Sequence, residues 1–377
     1  GVGIAVVAQS EFIESKPRVI LSDAGVLVIY EVSDRATGSL DIAAVKLDGL
    51  GKPIWPTGVW IASSRRRERI ADVVRDGKGG AIVIIEAISG PDTAQSIDVI
   101  AAHVDAYGKV GWGASPDPAV IATSRHFERN PVAVADGLGG AFIAYEIEYA
   151  SGPRKGDRDI LAQHLTAQGQ REWVSETALP MVSSVATASE SKPVIVSDSD
   201  GIIIAFEMNF HSEKRPVHII GVQRVDATGR LAWNKGKKPE TIIVPNRIVE
   251  KPRLSSDGAG GIFLVAEARD SVTGDVDLFA QKFTSAGEQL WKNGELPVAV
   301  FQTSTNERSP SARPDGSGGL IVTAVKDFVG VDNVTRRKIV AQRIGPDGRN
   351  AWPQLGGPLL LSNSTTIDDT PTVIKVE

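Results

Sequence analysis

The 377-residue chain has no cysteine, two methionines, five histidines and four tyrosines. Without thiols there is neither a disulfide frame nor a thiolate metal site. The histidines fall into no His-x-His or His-Glu-x-x-His spacing, so the usual imidazole metal motifs are missing too. No stretch approaches the ~20 apolar residues of a membrane-spanning helix. No glycine-rich loop leads from a strand into a helix to cradle phosphate, and no nucleophile-elbow serine is present. Asp198-Ser-Asp-Gly201 starts like a calcium loop but lacks the later carboxylate such loops use. A net charge of −5 gives no general reason to expect nucleic acid or an anionic membrane. No cofactor or metal is expected from these residues. The chain opens on Gly1 rather than Met, and Gly1–Ala8 is too short for a signal-peptide core. A removed leader or a trimmed chain is therefore expected.

What the chain has in quantity is a repeat. Six times a glycine is followed four residues later by a tryptophan: Gly51 and Trp55, Gly108 and Trp112, Gly169 and Trp173, Gly229 and Trp233, Gly287 and Trp291, Gly348 and Trp352. Successive tryptophans lie 57, 61, 60, 58 and 61 residues apart, a period that marks a repeat architecture. Aligned on the tryptophans, each unit has a segment starting at proline (Pro17–Leu21, Pro131–Ala135, Pro193–Ser197, Pro252–Ser256, Pro310–Arg313), replaced by Ile70–Val74 in the second unit. A tight turn follows, Asp76-Gly-Lys-Gly-Gly80 and its relatives, then an apolar run such as Ala81–Ile85. Glycine suits a reversal that needs positive φ, and a short β-branched run between turns reads as a strand covered on both faces. A variable polar loop, a third strand, the Gly…Trp hairpin and a fourth strand complete the unit.

Four antiparallel strands per sixty residues, with no helical pattern, predict an all-β chain: a β-propeller of six four-stranded blades. The units are approximately 17–68, 69–128, 129–190, 191–250, 251–307 and 308–369 of a single domain, 1–377. Ile4–Gln9 and Thr372–Val376 read as lone extra strands that meet at the seam, with a seventh, incomplete blade as the alternative. The tryptophan at a fixed place in each unit is expected to be an apolar plug between blades.

The Asp…Gly…Trp hairpin resembles the aspartate-box turn of sialidase-like propellers and the tryptophan-docking turn of quinoprotein propellers, best at Asp226-Ala-Thr-Gly-Arg-Leu-Ala-Trp233. Its glycine-to-tryptophan spacing is one residue longer than the aspartate box, and its glycine stands one residue nearer the aspartate than in the quinoprotein turn. The whole unit is similar to the repeats of bacterial exported propeller proteins. The resemblance implies fold and a secreted, cell-surface or periplasmic location; it implies no activity.

In such a meander the two tight turns lie at one end of each blade and the variable connections at the other, where binding surfaces are usually carried. Glutamate recurs at the end of the second strand (Glu31, Glu86, Glu146, Glu207, Glu267, with Val325 breaking the series) and near the corner between units (Glu14, Glu68, Glu128, Glu190, Glu250, Glu307). Paired carboxylates suit acid–base chemistry, but a ring of equivalents suits structure better, as ion pairs with Lys16, Arg69, Arg129, Lys192, Lys251 and Arg308. His103 and His164 share a repeat slot with Lys46, Arg224, Lys282 and Arg343, whereas His126, His211 and His218 read as loop residues. Tyr30 and Tyr145 read as core.

Basic residues outside the repeat are the candidate ligand contacts: Arg65, Arg66, Arg67 and Arg69 at one corner, Arg154, Lys155 and Arg158 in one connection, Lys214 and Arg215 in the next, and Arg336, Arg337 and Lys338 in the last. On one face of an acidic protein they could steer an anionic ligand; the plain alternative is solvated loop charge. The expectation is a non-catalytic binding or assembly module that recognises a protein or glycan, with no catalytic residue and no nucleic-acid partner. A carbohydrate-active, sialidase-like propeller is the alternative, and would carry one unit-specific cluster of Asp, Glu, Arg and Tyr. A structural subunit of a surface assembly is the third reading.

Overall fold

A computed structural model describes residues 12–34, 36–90, 95–113, 115–173, 181–198, 200–210, 217–292, 294, 296–301, 303, 305–329, 334–352 and 359–361. The anticipated terminal strands Ile4–Gln9 and Thr372–Val376 lie outside them. The chain divides into two compact units, Gly1–Ser184 and Val185–Glu377.

In the first unit, sheet one comprises β1 (Phe12–Ser22), β2 (Gly25–Asp34), β3 (Leu40–Leu47) and β4 (Val59–Ala62). Sheet two comprises β5 (Arg67–Arg75), β6 (Ala81–Ser89), β7 (Ser96–Val104) and β8 (Ala119–Ala122). Sheet three comprises β9 (Phe127–Ala135), β10 (Ala141–Glu148), β11 (Arg158–Leu165) and β12 (Met181–Ser183). In the second unit, sheet four comprises β13 (Ala188–Asp198), β14 (Gly201–Phe210), β15 (Val217–Asp226) and β16 (Glu240–Ile242). Sheet five comprises β17 (Arg247–Ser256), β18 (Ile262–Asp270), β19 (Val276–Phe283) and β20 (Val298–Phe301). Sheet six comprises β21 (Glu307–Pro314), β22 (Leu320–Val329), β23 (Thr335–Ile344) and β24 (Leu359–Leu360). Within every sheet neighbours in sequence pair antiparallel, and one parallel pair, Ile97 with Phe127, joins sheets two and three. Apart from a single 3-10 turn, Trp233–Gly236, the described elements are all strands.

Sheets stack face to face within each unit, which is why the second strand is apolar on both sides. Alternate residues serve alternate neighbours: in β6, Val83 and Ile85 join the core shared with sheet one, while Ile82 and Ile84 join the core shared with sheet three. The same division in β18 puts Leu264 and Ala266 against sheet four and Phe263 and Val265 against sheet six.

The repeated tryptophans are inter-sheet plugs. Trp55, Trp112, Trp233 and Trp291 are buried in the cores between consecutive sheets. Each indole lies on the hairpin glycine of the following sheet: a β-carbon on Gly287 would stand 2.8 Å from Trp233, and one on Gly348 2.9 Å from Trp291. Both glycines also hold positive φ, 88° and 79°, so the residue is demanded twice. Trp233 Nε1 donates to the Ser285 carbonyl at 2.9 Å, and Trp291 Nε1 to that of Pro346 at 3.0 Å. The tryptophan amides are held in turn by the glutamines of the third strand, as from Trp291 to Gln281 Oε1 at 2.8 Å.

First strands begin earlier than the prolines indicate, at Phe12, Phe127, Ala188, Arg247 and Glu307. Proline has no N–H for the ladder, so it occupies an irregularity and not the regular pairing. In each of these strands the register shifts there, for example between Ser191 and Val194. The residue before the proline takes left-handed φ: Lys16 48°, Asn130 48°, Lys192 54°, Lys251 54°, Ser309 53°.

Replacing Gly287 by alanine forces a β-carbon into the Trp233 indole and should lower unfolding free energy by about 2–4 kcal/mol. Gly258→Ala, where φ is 77° but nothing lies within 4 Å of the added carbon, should cost only the backbone share, about 1 kcal/mol. Equal losses in urea denaturation would contradict the interlock.

Candidate functional site at the varied ends of the sheets

The two ends of each sheet carry different chemistry. At the fixed end, the turn aspartate closes its own loop: Asp76 Oδ1 accepts the Lys78 and Gly80 amides, both at 2.8 Å. Its other oxygen meets His103 Nε2 at 2.9 Å. His164 with Asp136, Arg224 with Asp198 and Arg343 with Asp315 repeat the pair, so the shared slot is structural. Burial alone would lower the His103 pKa; the Asp76 carboxylate outweighs it and raises it. Asp315, despite some burial, is held down to about 2 by the Ser317 and Gly319 amides, the Ser317 hydroxyl and Arg343.

At the varied end, the glutamate closing the second strand serves the next sheet. Glu31 accepts the Ile70 amide at 3.1 Å, Glu86 that of Asn130 at 2.7 Å, Glu207 that of Lys251 at 2.9 Å and Glu267 that of Ser309 at 2.9 Å. These amides sit at the strand irregularity, where the chain turns them away from their own ladder. The lysines at that position then close onto the glutamate of their own sheet: Lys16 to Glu31, Lys192 to Glu207 and Lys251 to Glu267, at 3.1, 2.9 and 2.6 Å. Arg69, Arg129 and Arg308, expected in the same role, stand one residue earlier. Arg129 turns to Glu148 at 3.4 Å and Arg308 to Asp327.

The corner glutamates form a second row. Glu68, Glu128 and Glu307 are almost completely buried, each held at one oxygen by a hydroxyl four residues earlier: Ser64, Ser124 at 2.5 Å and Thr303 at 2.5 Å. Glu250 does not belong to the row. Register places Val249 there, and Glu250 sits opposite Glu267, partly exposed and 3.7 Å from Arg269. In sheet six the row gains a cation, with Lys326 Nζ 2.6 Å from Glu307. Sheets two and three have Ala87 and Ile147 at that register and no such cation. Burial, and the charge of Asp98 beside it, push Glu128 up to about 7. Its Oε2 has no hydrogen-bond partner, and neither has the hydroxyl of buried Tyr145.

Sheets two and five each pair an arginine with the aspartate that opens the third strand, Arg66 with Asp98 and Arg247 with Asp277 at 3.2 and 2.6 Å; among the described residues, sheet three alone builds a tyrosine and a second aspartate onto that pair. Arg154, in the β10–β11 connection, lies bidentate on Asp159, with Nη1 2.9 Å from Oδ2, and its Nε reaches Asp157 at 2.9 Å. Tyr149 donates to Asp159 at 2.5 Å and Ser184 does so at 2.9 Å. The guanidinium sits 4.5 Å from the Tyr149 ring, whose other neighbour is His126 at 5.0 Å. Burial, and the bond to Asp159, push Tyr149 up to about 12. Arg158 bridges Glu148 at 2.9 Å and Glu146 at 3.4 Å.

Of the cations singled out from the sequence, Arg154 and Arg158 are therefore bound into this cluster, and Arg66 reaches Asp98 at 3.2 Å. Arg337 lies 3.8 Å from Asp327. Arg65, Arg67 and Lys155 are exposed. Arg67 and Arg69 lie within β5, and Arg336, Arg337 and Lys338 belong to β23, not to a connection. Lys214, Arg215 and His211 lie outside the described residues. His218 is in β15 rather than a loop. Sequence reading missed Asp98, Asp159 and Tyr149; the signal was an aspartate opening the third strand at Asp41, Asp98, Asp159 and Asp277. Among the described residues no group of three or more histidines, aspartates or glutamates could hold a metal, and no helix is long and apolar enough to cross a membrane.

No family model and no curated protein matches the chain. Among solved structures it is similar to a GH32 β-fructofuranosidase of Bombyx mori in complex with sucrose, at 8% identity and TM-score 0.40, covering 89% of this chain and 84% of that one. It is also similar to an endo-arabinase of Bacteroides thetaiotaomicron, at 8% identity and TM-score 0.32, covering 93% and 95%. A neuraminidase-like protein (A/flat-faced bat/Peru) aligns at 9% identity and TM-score 0.35, covering 90% and 89%.

Because Glu128 binds its proton more tightly folded than unfolded, its contribution to stability is intact below pH ~4.5 and falls as pH rises to about 7. Relative to Glu128→Gln, the wild-type chain should lose on the order of 3 kcal/mol across that window and nothing more above it. Chemical denaturation of both chains at pH 4.5, 6 and 8 measures the difference; parallel profiles would refute the shift.

Proposed function

We propose that the six sheets are blades of one β-propeller, and that the chain is a non-catalytic module of an exported bacterial protein that recognises a protein or glycan through the varied ends of the sheets. The supporting observation is what the repeated acids do. A glycoside hydrolase needs two carboxylates that reach substrate. Here Glu31, Glu86, Glu207 and Glu267 are engaged with the amides of the next sheet, and Glu68, Glu128 and Glu307 are shut inside the packing. The surface groups left to meet a ligand differ from sheet to sheet. Exposed Arg65, Arg67 and Lys155 are among them, and suit an anionic partner.

A second reading, a carbohydrate-active propeller, is favoured by one specific observation: among the described residues, Tyr149 and Asp157 join the Arg154–Asp159 pair in a single sheet. The names of the similar structures lie nearer to this reading, but with TM-scores of 0.40 or less they lend no weight to it.

The two readings separate on an array of acidic and neutral glycans, followed by a reducing-end assay on every glycan retained. Retention without new reducing ends, weakened roughly tenfold by Arg65→Ala with Arg67→Ala, is the expected result. New reducing ends that vanish with Asp159→Asn would establish the enzyme instead. Large oligomers in size-exclusion chromatography, with no ligand retained, would point to an assembly subunit.

A further inference from the structure

We propose that an extended peptide segment carrying branched aliphatic side chains docks between sheets four and five by adding a strand to the open edge of β15. The proposal rests on the binding-module reading above and names its partner class. Sheets four and five part at their varied ends to leave a cleft of about 560 Å³, within the size range of ligand sites. It runs along Val217, His218 and Ile219 of β15 and along 243–248, with Ser271 and Val272 on the far side.

Three features select the occupant. First, β16 pairs only with Ile220, Gly221 and Val222, so no described strand covers the outer edge of β15 before them. The corresponding edge in sheet five is closed from within. There the Val276 amide donates to Asn306 Oδ1 at 3.0 Å, and Asn306 Nδ2 donates to Asp327. Register makes His218 the counterpart of Val276, since Glu207 pairs with Ile220 as Glu267 pairs with Leu278. Asn246, which precedes β17 as Asn306 precedes β21, is the counterpart of Asn306. Asn246 has left-handed φ of 60°, and its carbonyl accepts the Ser271 amide at 3.1 Å. Its carboxamide bonds to none of the described residues, so among them nothing closes this edge against another donor–acceptor chain.

Second, the walls are branched and aliphatic. Val217, Ile243 and Val272 are exposed by 46%, 50% and 88%, unlike most apolar side chains of these sheets. The cleft also continues the packed interface between the two sheets, because Val244 on its lining belongs to their shared core. Third, none of the described residues lining the cleft is a tryptophan, tyrosine or phenylalanine, the His218 imidazole being the one ring among them, so the broad platform on which a sugar stacks is missing from that lining. An open main-chain edge beside aliphatic walls is the arrangement that receives an extended strand, with main-chain bonds for affinity and the walls for side-chain choice.

The test titrates the isotope-labelled chain with an acetylated, amidated hexapeptide of alternating threonine and valine, alongside the same peptide N-methylated at its central residues. The parent peptide should shift the backbone amides of 217–219 and 243–248. Ile243→Asp and Val272→Asp, both at exposed positions, should each weaken it roughly tenfold, as should N-methylation. Thermal unfolding of each variant confirms that it still folds. Equal binding of the N-methylated peptide, shifts confined to other sheets, or displacement by isovalerate or cellohexaose at equal concentration would each overturn the proposal. A glycan turned over in the reducing-end assay would defeat the functional reading while leaving this cleft standing, and an unshifted β15 edge would do the reverse.

Discussion

The indole laid on the glycine of the following hairpin is the contact that spaces the sheets. It requires a large flat ring and a residue without a β-carbon at positive φ, and at Trp55, Trp233 and Trp291, though not at Trp112, a third thing is added, a turn carbonyl that accepts the indole N–H. Where all three meet, as at Trp233 with Gly287 and Ser285, one side chain seals the core and sets the sheet-to-sheet offset. The third-strand glutamines that hold the tryptophan amides carry that constraint back into the ladder. Fully burying so large an apolar ring stabilises by about 2–3 kcal/mol, so the repeated tryptophans are major elements of stability as well as of geometry.

The opposite end is joined by charge and hydrogen bonds instead. A strand irregularity exposes one amide, and a carboxylate of the preceding sheet accepts it. The two joints divide the labour: packing sets distance at the fixed end, directed bonds set register at the varied end. The varied end can therefore change its connections without loosening the stack. Lys326 beside Glu307 and Val249 in place of an acid are variants of one buried row. Each alters local charge while the sheet beneath stays the same.

Much of this was legible in the residues, for a local reason. Glycine and aspartate at tight turns, β-branched runs and tryptophan at fixed intervals report the conformation of the chain near themselves. The four-strand unit, the apolar second strand and the structural slot of His103 and His164 could thus be read directly. Strand starts are not local in this way: proline marks a register shift inside a longer strand and not its boundary. Glu250 falls outside the row because it stands two residues before its proline where Glu14, Glu128, Glu190 and Glu307 stand three, and one residue moves a side chain to the other face.

Unaided, the sequence determined the period, the turn chemistry and the alternation that makes every sheet two-faced, because these depend on neighbours a few residues apart. Only the tertiary structure decided which sheet each glutamate serves, that Arg154 closes on Asp159 instead of facing solvent, and that, among the described residues, no strand covers β15 before Ile220 while the Val276 amide of β19 is taken by Asn306. The inter-sheet partners join residues about forty to sixty positions apart, and whether two such groups meet is settled by how whole sheets stack and by the register within them, which no local pattern encodes.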